Sequence, residues 1–181
     1  MEVLNYHHPS LKDEILDFEA KIHRIWFCSG EMDPSKINLS FRIVATAAGV
    51  FTRVCSEQGK TGAILAISKR KEKAAILYVQ IGQIGAPDTN YEGGKLTKYV
   101  DMARGKVQVL QEHPEFSRSS RNSELTNRMR TIIGGEIIPG GAVAFDDIII
   151  GASGLGSDPI IDENAVLEIG ERLFLTEDWK I

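Results

Sequence analysis

Residues 137–156 read IIPGGAVAFDDIIIGASGLG: two apolar runs flank Asp146-Asp147, and each is opened or closed by glycine. Asp tolerates turn conformations while Val, Ile and Phe suit a pleated, buried surface, so this stretch predicts a tight β-hairpin. Pro139 cannot donate to a ladder, which puts Pro139-Gly140-Gly141 at a strand start where the backbone changes direction. Ile148-Ile149-Ile150 is apolar on both faces, as in a strand covered by helices, and the hairpin is expected at the middle of the fold.

The 181 residues suffice for one domain with a proper core and no staples. Hydrophobic content of 43% with 25% charged residues argues against disorder. A net charge of -4 argues against a general nucleic-acid binder, whose phosphate contacts need a basic surface. Cys28 and Cys55 lack CxxC or Cys/His spacing and read as two buried thiols of a reducing compartment. The first ten residues lack a signal-peptide pattern, and no apolar run approaches the roughly 18 residues of a membrane span. A cytoplasmic protein without a membrane partner is the expectation.

Along the chain, Ser10 can cap a helix from Leu11 to about Cys28, with Leu11, Ile15, Phe18, Ile22, Ile25 and Trp26 at helical spacing. Gly30 and Pro34 end this arm. A second helix is expected from Ser40 to Gln58, stopped by Gly59. Strands are expected at Gly62–Ser68 and Ala74–Ile81, joined by the charged tip 69–73, which reads as solvated. A helix from Lys95 to Glu112 ends before Pro114, a Ser/Arg-rich stretch follows, and a last helix runs from Ile161 to Leu175. Strand pairs with short links favour an antiparallel sheet with packed helices, an α+β fold.

Several residues bear on chemistry. Arg118, Arg121, Arg128 and Arg130 interleave with Ser117, Ser119, Ser120, Asn122 and Ser123, and fork-shaped guanidinium donors beside hydroxyls suit a carboxylate or phosphate; the competing reading is a solvated face. Gly140 and Gly141 allow backbone amides to approach a ligand, or serve only a strand bend. His7-His8 is a poor metal pair, His23 sits in the arm, and His113 suits a helix C-terminus better than a heme axial position. Asp158, Asp162 and Glu163 read as acids complementing a helix dipole, too few for a hard cation. No metal site is expected. No nucleophile elbow or Gly-Lys-Ser/Thr phosphate loop occurs.

From Leu39 onward the chain resembles the GlcG/HbpS-like family, often labelled heme-binding or heme-degrading. The resemblance rests on Leu39-Ser40, Ala45, Ala48 and Gly59; on Ala103, Lys106 and Val107; and on Asn122-Ser123-Glu124-Leu125. It extends to Pro139-Gly140-Gly141 with Gly151-Ala152-Ser153-Gly154, and to Asp162-Glu163. Asn122 stands at the family's threonine position, and Ser68-Lys69 replaces an Asp before a glycine turn. The resemblance implies a profilin-like antiparallel sheet with flanking helices over residues 39–181, preceded here by an N-terminal helical arm, 1–38. It also implies a homo-oligomer and a small-molecule ligand, anionic or heme-like, with heme as the cofactor. Arg121 would pair the ligand's charge, Asn122 and Ser123 orient it, and Gly140 and Gly141 donate amides. The alternative is an enzyme acting on a small organic acid in the same pocket, with Lys106 and Glu124 as acid/base groups.

Overall fold

The computed structural model describes residues 21–28, 34–71, 76–85, 94–119, 140–173 and 175, with backbone alone for 23–28, 34–40 and 159. Among them are five strands and three helices: β1 (Ile22–Cys28), α1 (Pro34–Glu57), β2 (Gly62–Lys69), β3 (Ile76–Gly82), α2 (Gly94–Glu112), β4 (Ala142–Phe145), β5 (Ile148–Ser153) and α3 (Pro159–Arg172). The strands form one antiparallel sheet in the order β1-β3-β2-β5-β4, an α+β fold with helices on both faces. No helix among the described residues is long and apolar enough to cross a membrane.

Period-two alternation divides the core between the faces. Leu65, Ile67, Val79, Val143, Ile150 and Ala152 point to α1 and α3. Ile64, Ala66, Tyr78, Ala142, Ala144 and Ile149 point to α2. The apolar triplet of β5 is thus explained: β5 lies between β2 and β4 with helices above and below. The hairpin is not the middle of the fold, because its other strand, β4, is the sheet edge. Residues 117–119 close that edge. Ala144 N–H donates to the Ser117 carbonyl at 2.8 Å, Ala142 N–H donates to Ser119 Oγ at 3.0 Å, and Arg118 bridges Val143. The hairpin turn holds Asp146 at φ 51, which Asp tolerates.

The expected arm helix is corrected over its last part. Residues Ile22–Cys28 are β1, paired antiparallel with β3, and Cys28 therefore lies on a strand. Ile, Trp, Phe and Cys suit a strand as well as a helix, and the free edge of β3 supplies the backbone partners that decide it. Residues 1–20 of the arm lie outside the described residues. Pro34 opens α1 rather than closing the arm, its fixed φ matching a first helical turn. Gly59 stops α1 as expected: at φ 64 it lets Lys60 N–H return to the Cys55 carbonyl at 2.7 Å.

The charged tip after β2 is also more than solvated. Arg70 donates from its guanidinium to the carbonyls of Asp146, Pro114 and Phe116, and from its backbone to Asp147. It fastens both hairpin tips to the end of α2.

Two tests follow from backbone and burial. At Gly82 (φ 71) a Cβ would sit 2.3 Å from the Thr61 carbonyl oxygen, whereas at Gly49, inside α1, it would meet nothing within 4 Å. Urea unfolding should show Gly82→Ala destabilising by about 2–4 kcal/mol and Gly49→Ala stabilising by about 0.5–1 kcal/mol. Burial pushes the free Cys55 thiol up to about 11, the Asp162 carboxylate adding to the shift and Lys60 opposing it. In a Cys28→Ser background, alkylation of the native protein at neutral pH should run roughly a hundredfold slower than that of the unfolded chain.

Candidate functional site: a buried charge cluster at one end of the sheet

Where β4 begins and β5 ends, four charged side chains gather. Lys106 comes from α2, on one face of the sheet, and Asp162 and Glu163 come from the first turns of α3, on the other. Arg118 comes from the segment that closes the β4 edge. Asp158 caps α3 by accepting from Ile160 N–H at 3.0 Å, with Pro159 at the first helical position. Asp162 and Glu163 then sit on the buried side of that turn, only 4% and 2% exposed. They are buried rather than surface acids, and Asp162 still stands in the first turn, where an acid complements the helix dipole.

Lys106 is fully buried at 0% exposure. Its Nζ donates to Asp162 Oδ2 and to the Ala152 carbonyl, both at 2.7 Å. The other carboxylate oxygen, Oδ1, accepts from Leu155 N–H at 3.1 Å. The lysine therefore passes the end of the β4–β5 ladder, where Ala152 N–H bonds the Gly141 carbonyl at 2.8 Å. Gly141 makes the passage possible. Its φ is 133, and a Cβ would stand 2.9 Å from Lys106 Nζ and 2.8 Å from Asp162 Cβ. What this glycine admits is the close approach of Lys106, at a backbone conformation that glycine favours.

Burial pushes the Asp162 carboxyl above its ordinary value of 3.8; Lys106 and the Leu155 amide offset part of this. Glu163 is arranged differently. Its Oε1 lies 3.8 Å from Arg118 Nη1, while its buried Oε2 has no hydrogen-bond partner among the described residues. The Arg118 side chain keeps 21% exposure, so its guanidinium meets both the buried acid and solvent.

Among the residues expected at the site, Lys106, Gly140 and Gly141 are at this end of the sheet, all buried. Arg121, Asn122, Ser123 and Glu124 lie outside the described residues. Lys106 is held by two acceptors and sealed from solvent, which does not suit a freely exchanging acid or base. Ser117 and Ser119 act as edge-closing groups. His113 lies near the opposite end of the hairpin, beside the Arg70 staple, with Nδ1 3.2 Å from Glu115 Oε1 and its ring against Phe116. No group of three metal-ligating side chains occurs among the described residues. The four charged side chains of the cluster include no imidazole, thiolate or phenolate for heme iron, so no heme step is derived. The pairing of Lys106 with Asp162 and the solitary Oε2 of Glu163 were missed from sequence. The signal lay in Asp162-Glu163, two adjacent acids in the first turns of a helix that Asp158 already caps.

No family model, curated protein or solved structure matches the chain.

Removing one partner of the cross-sheet pair leaves the other charge buried. Asp162→Ala and Lys106→Ala should therefore each cost about 3–5 kcal/mol, while Lys106→Met with Asp162→Leu should recover most of the loss in the same denaturation assay. The pH sign is fixed by the raised carboxyl. Relative to Asp162→Asn, its titration stabilises most below 3.8, and that increment is lost as pH rises through the raised folded value. Urea midpoints of the two proteins from about pH 4 to about pH 8 should show a shrinking difference; a constant one contradicts the assignment.

Proposed function

We propose that this chain is a small-molecule-binding protein of the GlcG/HbpS-like type, acting as a homo-oligomer and holding an anionic organic ligand beside Arg118 and Glu163. The observation that carries the reading is the buried Oε2 of Glu163, an acceptor with no donor among the described residues. Leaving such an atom unmet costs about 1–3 kcal/mol, which a ligand N–H or O–H removes. Arg118 adds fork-shaped donors that pair with a carboxylate, so the ligand class is a small acid carrying a hydroxyl or amine. Support also comes from the resemblance itself, since Lys106, Gly140, Gly141, Gly151, Ser153, Gly154, Asp162 and Glu163 all lie around this end of the sheet. A profilin-like arrangement, a cytoplasmic location, and Arg121, Asn122 and Ser123 as further ligand contacts belong to the same proposal. Heme is the alternative ligand, its propionates taking the place of the small acid at Arg118. Acid/base turnover by Lys106 and Glu124 is the weaker reading, because Lys106 is already committed to Asp162.

Calorimetric titration of hydroxy- and amino-carboxylates, with hemin followed by its Soret band, tests the reading. Binding of a small acid should weaken roughly tenfold in Glu163→Gln and in Arg118→Ala. If neither acids nor hemin bind the wild type, ligand binding at this site is refuted. Sedimentation of the wild type as a monomer would remove the homo-oligomer.

A further inference from the structure

A second feature lies at the same end of the sheet but beside α2's first turn. A shallow cleft of about 150 Å³ opens between the α1–β2 turn, the residues after β3 and the start of α2. Lys60, Thr61, Ile84, Lys95 and Tyr99 line it, with glycine backbone between them. Among the described residues that line it, both charged ones are lysines. Lys60 and Lys95 are each half-buried. Neither has an ion-pair partner among the described residues, and Lys95 Nζ stands 5.8 Å from the Tyr99 ring centroid. Two partly desolvated cations of one sign around a small hollow repel each other and lose hydration, and an anion between them removes both costs.

The floor is rigid before any ligand arrives. Thr61 donates its hydroxyl to the Gln83 carbonyl at 2.6 Å, and Gln83 N–H returns to the Thr61 carbonyl at 2.9 Å. Gly62 and Gly82 are packed so closely that a Cβ on Gly62 would stand 2.8 Å from the Gly82 carbonyl carbon. The helix stop at Gly59 fixes the backbone of Lys60 at the rim. The volume is well under the roughly 300–1,000 Å³ of pockets for drug-sized ligands, so the occupant is small.

From these features we infer that the cleft binds a phosphate-sized oxyanion, with Lys60 and Lys95 supplying the charge and the start of α2 the positive end of its dipole. The site is independent of Arg118 and Glu163. The probe is inorganic phosphate added to the full chain, followed by amide NMR against chloride at equal ionic strength. Phosphate should shift the amides of Gly59, Lys60, Thr61, Gly62, Gly85 and Lys95 along one saturable curve that chloride does not reproduce. Lys60→Ala and Lys95→Ala should each weaken binding by roughly three- to tenfold, while Lys71→Ala, at the exposed tip, and Arg118→Ala leave it unchanged. A non-saturating response that chloride matches, or an equal loss in Lys71→Ala, overturns the proposal.

Discussion

One ion pair joins the two sides of this protein. Lys106 starts on the helix that covers one face of the sheet and ends on the carboxylate of a helix that covers the other. In a low-dielectric interior such a pair contributes little net stability against an apolar replacement, because stripping water from both charges cancels most of the attraction. Its consequence is geometric. Only one docking of α2 and α3 lets an ammonium reach Asp162 and the Ala152 carbonyl together, and only a residue without Cβ at 141 leaves room for it. Leu155 completes the arrangement from the backbone. The layers are thus aligned by polar constraint, while apolar alternation supplies most of the burial energy.

The two ends of the sheet divide the work. At one end, Arg70 gathers carbonyls from the β4–β5 turn and from the chain leaving α2, which closes that end with backbone acceptors. At the other, charges face inward and Glu163 Oε2 meets no donor among the described residues. Buried polar atoms in folded proteins are nearly always satisfied, so such an acceptor beside a partly exposed guanidinium is a feature of this end. The edge segment 117–119 connects the two: its serines hold β4 while Arg118 extends to Glu163.

Much of the fold was legible because it rests on local rules. The Asp146-Asp147 turn, the both-face apolarity of β5, the stop at Gly59 and the limits of α2 are each determined within a few residues. The strand β1 was not legible, since Ile22, Ile25 and Trp26 fit a helical stripe and only the distant edge of β3 selects the extended form. The site was half legible. Gly140, Gly141, Lys106, Asp162 and Glu163 each carried a sequence signal, but nothing local pairs a lysine on one helix with an acid on another across a sheet. Arg70 was hidden for the same reason: its acceptors are main-chain carbonyls, which no side-chain pattern announces.

The strand order has a further consequence. The three strands of the first half, β1, β3 and β2, lie side by side, and the two of the second half, β5 and β4, lie together beyond them. One ladder, β2 against β5, is the seam, and the Lys106–Asp162 pair lies wholly on the later side of it. Each half carries a hairpin, and α2 lies across the seam, packed on Ile64 and Ala66 of β2 as well as on Ile149 of β5. Parting the halves would therefore break the β2–β5 ladder and uncover the apolar face of α2 in one step.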